Sequence, residues 1–299
     1  MTFQEFQDYI EEHILCGWKE DADVEIRETK KNNGITYQGL YIRASEEVIA
    51  PCLYLEEFYK DYQHGEDMDK IIEKIRYEYE GAMERAAFYE LDATQYERIR
   101  DRIVFRLVNY ERNRELLNNC PYILMHDLAL TFRWIAHTDC IGISSALITY
   151  QQLQVWNVSV DEMILVAREN TKRLFPPRIV NMDTLLDEMG KGTLNLGGQR
   201  TIFVMTNEQQ VNGATVLVYE GVLKRFAEQI GEDLYVIPSS IHELILVPVS
   251  EFSEPEGLFT MVKEANQSIT SPVDILSDSV YYYNRKKDRL SPVPRKDCE

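Results

Sequence analysis

Apolar residues at Phe3, Phe6, Tyr9, Ile10 and Ile14 recur at helical spacing, so the chain opens on an amphipathic helix. The period then shortens. Val24 and Ile26 alternate with charged residues, Asn32, Asn33 and Gly34 tolerate positive φ, and residues 37–42 return, which together predict a β-hairpin. Beyond Pro51 the segment LYLEEFYKDY is helical in pattern. Ile71, Ile72, Ile75, Tyr79, Ala82, Met83 and Ala86 then draw one stripe along a longer helix, with Asp67 placed to cap it.

After Arg100 the pattern changes. Residues 103–108 read as a strand, 110–117 as a helix, 128–135 as a strand running into Ala136 and His137, and 143–148 as its neighbour. Ser159 with Glu162 three residues on makes a capping-box signature, Val158 and Met163 fit a hydrophobic staple, and Pro176 and Pro177 end the helix. A shorter helix over 184–189 leads through KGTLNLGGQR to two apolar runs, IFVM and ATVLVY. Joined by a loop ending in Asn212 and Gly213, these read as a buried antiparallel pair. Val222, Leu223, Phe226 and Ile230 mark another helix, stopped by Gly231. It feeds LYVIPSSIHELILVP, two buried strands broken at Pro238 around a polar knot of Ser239, Ser240, His242 and Glu243. A helix over 256–266 and a strand over 280–283 follow. Helices and strands intersperse without a repeating βα unit, which predicts an α+β fold: a mixed, mainly antiparallel sheet with flanking helices, plus an acidic N-terminal helix and hairpin module. The division expected is residues 1–100 for the acidic module and 101–299 for the mixed-sheet module.

Composition narrows the classes. At 299 residues and 44% hydrophobic, the chain supports a sizeable globular core. Its net charge is -18, and residues 1–100 carry 24 Asp plus Glu against 12 Lys plus Arg, leaving -12 there and -6 beyond. So acidic a surface repels phosphate backbones and anionic lipid, which argues against nucleic-acid and membrane partners. The basic exception is Arg285, Lys286, Lys287 and Arg289, then Arg295 and Lys296, beside Tyr281, Tyr282 and Tyr283. Aromatics next to basic residues can stack on single-stranded bases, but a final strand with a solvated tail is the expectation. Cys16, Cys52, Cys120, Cys140 and Cys298 are scattered and odd in number, so neither a disulfide framework nor a metal site is expected. The opening residues lack a signal peptide's basic and apolar regions, and no apolar run reaches the length of a membrane span, which places the protein in a reducing cytoplasm.

Chemistry has few candidates. His13 and His64 sit on or beside acidic surface helices. His126 with Asp127, and His137 with Asp139 and Cys140, lie at the two ends of one predicted strand, where an acid could orient an imidazole. His242 and Glu243 begin a H-E-x-x-H zinc motif, but Leu246 occupies the second histidine's place. Ser239 or Ser240 as nucleophile with His242 as base is a hydrolase arrangement, without the G-x-S-x-G elbow. Structurally, the same residues form a hydrogen-bonded corner. The stretch Gly190, Lys191, Gly192, Thr193 lacks the glycine order of a phosphate loop, and Gly197 with Gly198 makes no dinucleotide fingerprint, so no cofactor is expected.

The motifs KNNG, VNYERNRELL, DLALTF, RENTKRLFPP, MTNEQQVNGATVLVY, LYVIPSSIHELILVP and ILSDSVYYYN together resemble the clostridial domain-of-unknown-function family numbered 5688. The region from DLALTF to RENTKRLF is more weakly similar to the uncharacterised YtpQ-like bacterial family. The resemblance implies a bacterial cytoplasmic setting, in a Firmicute, and carriage on mobile elements; it implies no activity. The expectation is therefore a non-enzymatic accessory protein that binds another protein. The alternatives are a hydrolase built on Ser239, Ser240, His242 and Glu243, and an acidic mimic of DNA.

Overall fold

A computed structural model describes residues 1–19, 21–43, 51–86, 95–138, 142–188, 201–252, 254–268 and 270–295. The chain separates into two compact units, Met1–Arg98 and Ile99–Glu299.

In the first unit α1 (Phe3–His13) starts at Thr2, whose hydroxyl accepts from the Glu5 N–H while the Glu5 carboxylate accepts from the Thr2 N–H. The T-x-x-E spelling of this capping box is in the sequence. Strands β1 (Asp23–Lys30), β2 (Thr36–Arg43) and β3 (Cys52–Tyr54) form an antiparallel sheet in that order. The β1–β2 turn places Asn33 at φ 61° and Gly34 at φ 67°, the left-handed region that short polar side chains and glycine tolerate. Helices α2 (Leu55–Gln63) and α3 (Met68–Ala86) follow, and the Asp67 side chain accepts from the Asp69 N–H at the start of α3. Phe6, Ile10, Leu40, Ile42, Leu55, Ile71, Ile75 and Tyr79 fill the core. The one polar atom that Tyr79 brings inside is satisfied, its hydroxyl donating to the Ile42 carbonyl at 2.8 Å.

Helix α4 (Tyr96–Ile99) crosses the division. Beyond it β4 (Ile103–Asn109), α5 (Arg114–Leu117), β5 (Tyr122–Met125), β6 (Leu128–Thr138) and β7 (Ile143–Leu147) build a sheet centred on β6. Strand β4 pairs along one edge of β6. The other edge is shared end to end, β5 pairing with residues 128–131 and β7 with 133–138. The outer edge of β4 is closed by side chains rather than by a strand: the Phe105 N–H donates to Thr171 Oγ1 at 2.8 Å, the Leu107 N–H to Thr215 Oγ1 at 3.3 Å, and Asn170 Nδ2 donates to the Ile103 carbonyl. Two of those residues come from RENTKRLF, on the inner face of α7 (Val160–Leu174), which follows α6 (Tyr150–Trp156).

The remaining elements are β8 (Pro177–Asn181), α8 (Met182–Glu188), β9 (Phe203–Asn207), α9 (Val222–Ile230), β10 (Leu234–Ile237), β11 (Leu244–Pro248), α10 (Glu256–Ser268), β12 (Tyr281–Asn284) and β13 (Arg289–Pro292). Their six strands form one antiparallel sheet in the order β13-β12-β10-β11-β9-β8. Helices and antiparallel sheets thus alternate irregularly, and the fold is α+β.

Two expectations are overturned. The run ATVLVY is not a strand: residues Gly213–Val218 are a buried 3-10 helix. Both edges of β9 are taken, by β8 and by β11, so no edge is left for it to pair with. A Cβ at Gly213 would also lie under 3.0 Å from Thr206 Oγ1, the His242 carbonyl and the Asn207 nitrogen, so only glycine allows this close crossing. The basic segment is not a solvated tail either. Arg285 to Asp288 form the turn of the β12–β13 hairpin, with Asp288 at φ 47°, and Arg289 starts β13. The KGTLNLGGQR stretch, Asp139, Cys140, Lys296 and Cys298 lie outside the described residues.

Candidate functional site

The polar knot is the connection between β10 and β11, which pair from Leu234↔Pro248 to Ile237↔Ile245. Ser239 and Ser240 are buried, at 9% and 6% exposure. Ser240 Oγ accepts from two successive backbone N–H groups, His242 at 3.0 Å and Glu243 at 3.2 Å. Ser239 Oγ donates to the Glu243 carbonyl at 3.5 Å, at the long limit of a hydrogen bond. The corner is tied outward as well: the Ile241 N–H donates to the Asp274 carbonyl, and Thr206 Oγ1 donates to the His242 carbonyl.

His242 Nδ1 accepts from the Asn212 N–H at 3.3 Å, which leaves the ring proton on Nε2, and Nε2 faces Asp274 Oδ1 at 3.4 Å. With both ring nitrogens engaged and both serine hydroxyls directed at backbone groups, the four residues share a corner but form no nucleophile–base pair. Glu243 contributes its backbone N–H and carbonyl.

Beside this corner lies a narrow cavity. Arg106, Arg133 and Ser145 line it from the β4–β6–β7 sheet, and Asn212, Thr215 and Tyr219 from the chain around the 3-10 helix. Val104 stands opposite Arg133 in the β4–β6 register, so Arg106, two residues on from Val104, projects from the same face as Arg133. Arg133 Nε donates to Ser145 Oγ at 2.9 Å and one Nη to the Ser145 carbonyl at 2.5 Å. Arg106 Nε is buried without a hydrogen-bond partner. Burial lowers the pKa of both groups, and Arg133, which also feels the Arg106 charge, is brought down to about 9. On the same sheet face, one apolar cluster contains Val108, Leu117, Cys120 and Ala129, and another Val104, Ile135 and Phe175.

A family model described as a family of unknown function, DUF5688, matches residues 3–285. The chain belongs to the DUF5688 family. No curated protein and no solved structure matches it. The other candidate histidines of this DUF5688 chain are dispersed. His13 Nδ1 bonds the Tyr9 carbonyl on α1, and His64 caps α2. His126 occupies the β5–β6 turn at φ 57°, near the Tyr281 ring. Its neighbour Asp127 accepts from Ser277 Oγ at 2.5 Å, from Ser279 Oγ at 3.1 Å and from the Tyr281 hydroxyl, which anchors SDSVYYYN to that turn. His137 lies on β6. No helix among the described residues is long and apolar enough to cross a membrane.

Sequence reasoning passed over Arg106 and Arg133 in this DUF5688 chain. Their signal was present: each is a single cation inside an apolar strand, in VFRLV and TFRWI. A long charged side chain there usually turns to solvent, and which faces of a sheet are covered is decided only by its tertiary neighbours.

Proposed function

We propose that this protein works by binding, as a non-enzymatic accessory protein in a bacterial cytoplasm whose partner is another protein. The observation behind this reading is the full engagement of the knot: Ser240 Oγ holds two backbone N–H groups, and His242 holds Asn212 and Asp274. A catalytic serine needs a base within hydrogen-bond reach, and His242 is turned elsewhere. The partner's chemistry follows from charge. With -12 on residues 1–100, electrostatic steering favours a basic protein surface.

The test is capture of partners from a native bacterial lysate at low and high salt, with a charge-matched acidic protein as control. A basic protein enriched over the control and released by salt supports the reading. Captured DNA-binding proteins that duplex DNA displaces would move the partner class to DNA mimicry. Labelling of Ser239 or Ser240 by a fluorophosphonate probe would replace the reading with the hydrolase.

A further inference from the structure

The sequence spells Asn-Gly twice, at Asn33–Gly34 and at Asn212–Gly213. Glycine carries no Cβ, so its backbone nitrogen can approach the preceding side-chain amide carbon with little hindrance once the intervening backbone bond rotates. Both asparagines hold nearly the same left-handed backbone, φ 61° and ψ 23° at Asn33 against φ 51° and ψ 30° at Asn212. Their intrinsic geometry is matched, so their surroundings decide. At Asn212 rotation is resisted on both sides. The Asn212 N–H donates to His242 Nδ1 at 3.3 Å, its carbonyl accepts from the Thr215 N–H at 3.2 Å, and the Asn207 side-chain amide bonds both the N–H and the carbonyl of Val211. Gly213 is buried against Thr206, Asn207 and His242. Gly34, by contrast, is exposed at the tip of the β1–β2 hairpin, where the Ile35 N–H reaches the Asn32 carbonyl across a long 3.4 Å.

We propose that Asn33 is a spontaneous modification site, where the folded protein loses the side-chain amide while Asn212 is protected, a property beyond the partner binding proposed above. The Gly34 nitrogen bonds to Asn33 Cγ and gives up its proton, and the side-chain nitrogen leaves with that proton as ammonia. The product is a cyclic imide. Water then adds to either imide carbonyl and breaks its bond to the Gly34 nitrogen. Breaking the new Cγ–N bond leaves aspartate; breaking the original C–N bond leaves isoaspartate, whose main chain runs through Cβ and Cγ. Water is the only co-reactant, and nothing is oxidised or reduced. Either product adds a carboxylate to a stretch, residues 1–100, that already holds -12. Isoaspartate also lengthens the main chain inside the turn that fixes the register from Asp23↔Arg43 to Lys30↔Thr36.

The experiment incubates the full chain in warm, mildly alkaline buffer and digests samples with trypsin, which releases Asn33 within residues 32–43 and Asn212 within residues 201–224. Mass spectrometry follows the amide-to-acid mass gain on each peptide, and fragmentation assigns it to Asn33 rather than Asn32. Conversion at Asn33 is expected to run roughly tenfold or more faster than at Asn212, because the buried site reacts only after local opening. A parallel incubation in guanidinium chloride should bring the two rates together by releasing Asn212 from its partners. Chromatography should resolve both aspartate and isoaspartate forms of the 32–43 peptide, since water opens either side of the imide. Comparable rates at the two sites in the folded chain, or a difference that persists in guanidinium, would overturn the proposal. Aspartate as the sole product would overturn it too, because that outcome marks direct hydrolysis of the amide. Both sites lie in one molecule, so the comparison needs no variant to fold.

Discussion

Ser240 accepts from the N–H groups of both His242 and Glu243 while only 6% exposed, so its hydroxyl closes the turn that lets β10 reverse into β11. Removing that oxygen leaves two backbone donors without their acceptor. Ser240→Ala should therefore cost about 1–3 kcal/mol, read as a lower urea midpoint at unchanged m. Ser239→Ala, which loses one long hydrogen bond, should cost less. Asp233 gives the pH counterpart. Its carboxylate accepts from the Tyr282 hydroxyl, from the Arg285 N–H at 3.0 Å and from Asn284 Nδ2, and its pKa is lowered from 3.8, first by Tyr282 and then by the Arg285 N–H and nearby charges. A carboxyl whose folded pKa is depressed contributes fully above its unfolded value, and the contribution is lost as pH falls through the folded pKa. Asp233→Asn should thus lower Tm at neutral pH and flatten the decline below pH ~4, measured by scanning calorimetry across the acid range. At this scale the sequence singled out Ser239, Ser240, His242 and Glu243 as a polar knot, either a hydrogen-bonded corner or a pocket, because polar residues between buried strands must be satisfied. It did not reveal which groups satisfy them, since Asn212 and Asp274 are distant in the chain.

Among the elements, β4 depends most on its surroundings. Its free edge is sealed by Thr171 from α7 and by Thr215 from the 3-10 helix, so helix packing substitutes for a missing strand. Thr171→Val keeps the volume but removes the acceptor. It should cost about 1–3 kcal/mol and raise the amide exchange rate of Phe105 well before that of Phe132 on β6. Elements announced by local chemistry were legible: the Asn33 and Gly34 turn, the Ser159 cap whose Oγ accepts from the Glu162 N–H, and the Gly231 stop at φ 83°. The α+β class followed from their irregular order. Elements decided by partners were not. ATVLVY has strand-like composition, but its conformation depends on β8 and β11 already flanking β9. Strand β5 is four residues long, and β8 begins at Pro177, which an edge position allows and a sequence pattern discourages.

For the molecule as a whole, the chain divides into two compact units, Met1–Arg98 and Ile99–Glu299. Among the described residues, the core cluster built on Phe6, Leu40, Ile75 and Tyr79 runs from Phe3 to Met83. Residues 1–98 expressed alone should show a single cooperative melt with dispersed amide NMR signals, and a molten, undispersed fragment would mean that its core needs the second unit. The order of these elements along the chain sets a timetable for synthesis. A ribosome releases chain from the N-terminus, and every described member of the Phe6–Tyr79 core cluster has emerged with Met83. In the second unit β10 waits for its neighbour β12 at Tyr281–Asn284, and Asp127 waits for Ser277, Ser279 and Tyr281. The β10 edge must therefore stay open during translation, exposed to chaperones or to aggregation until the last strands arrive.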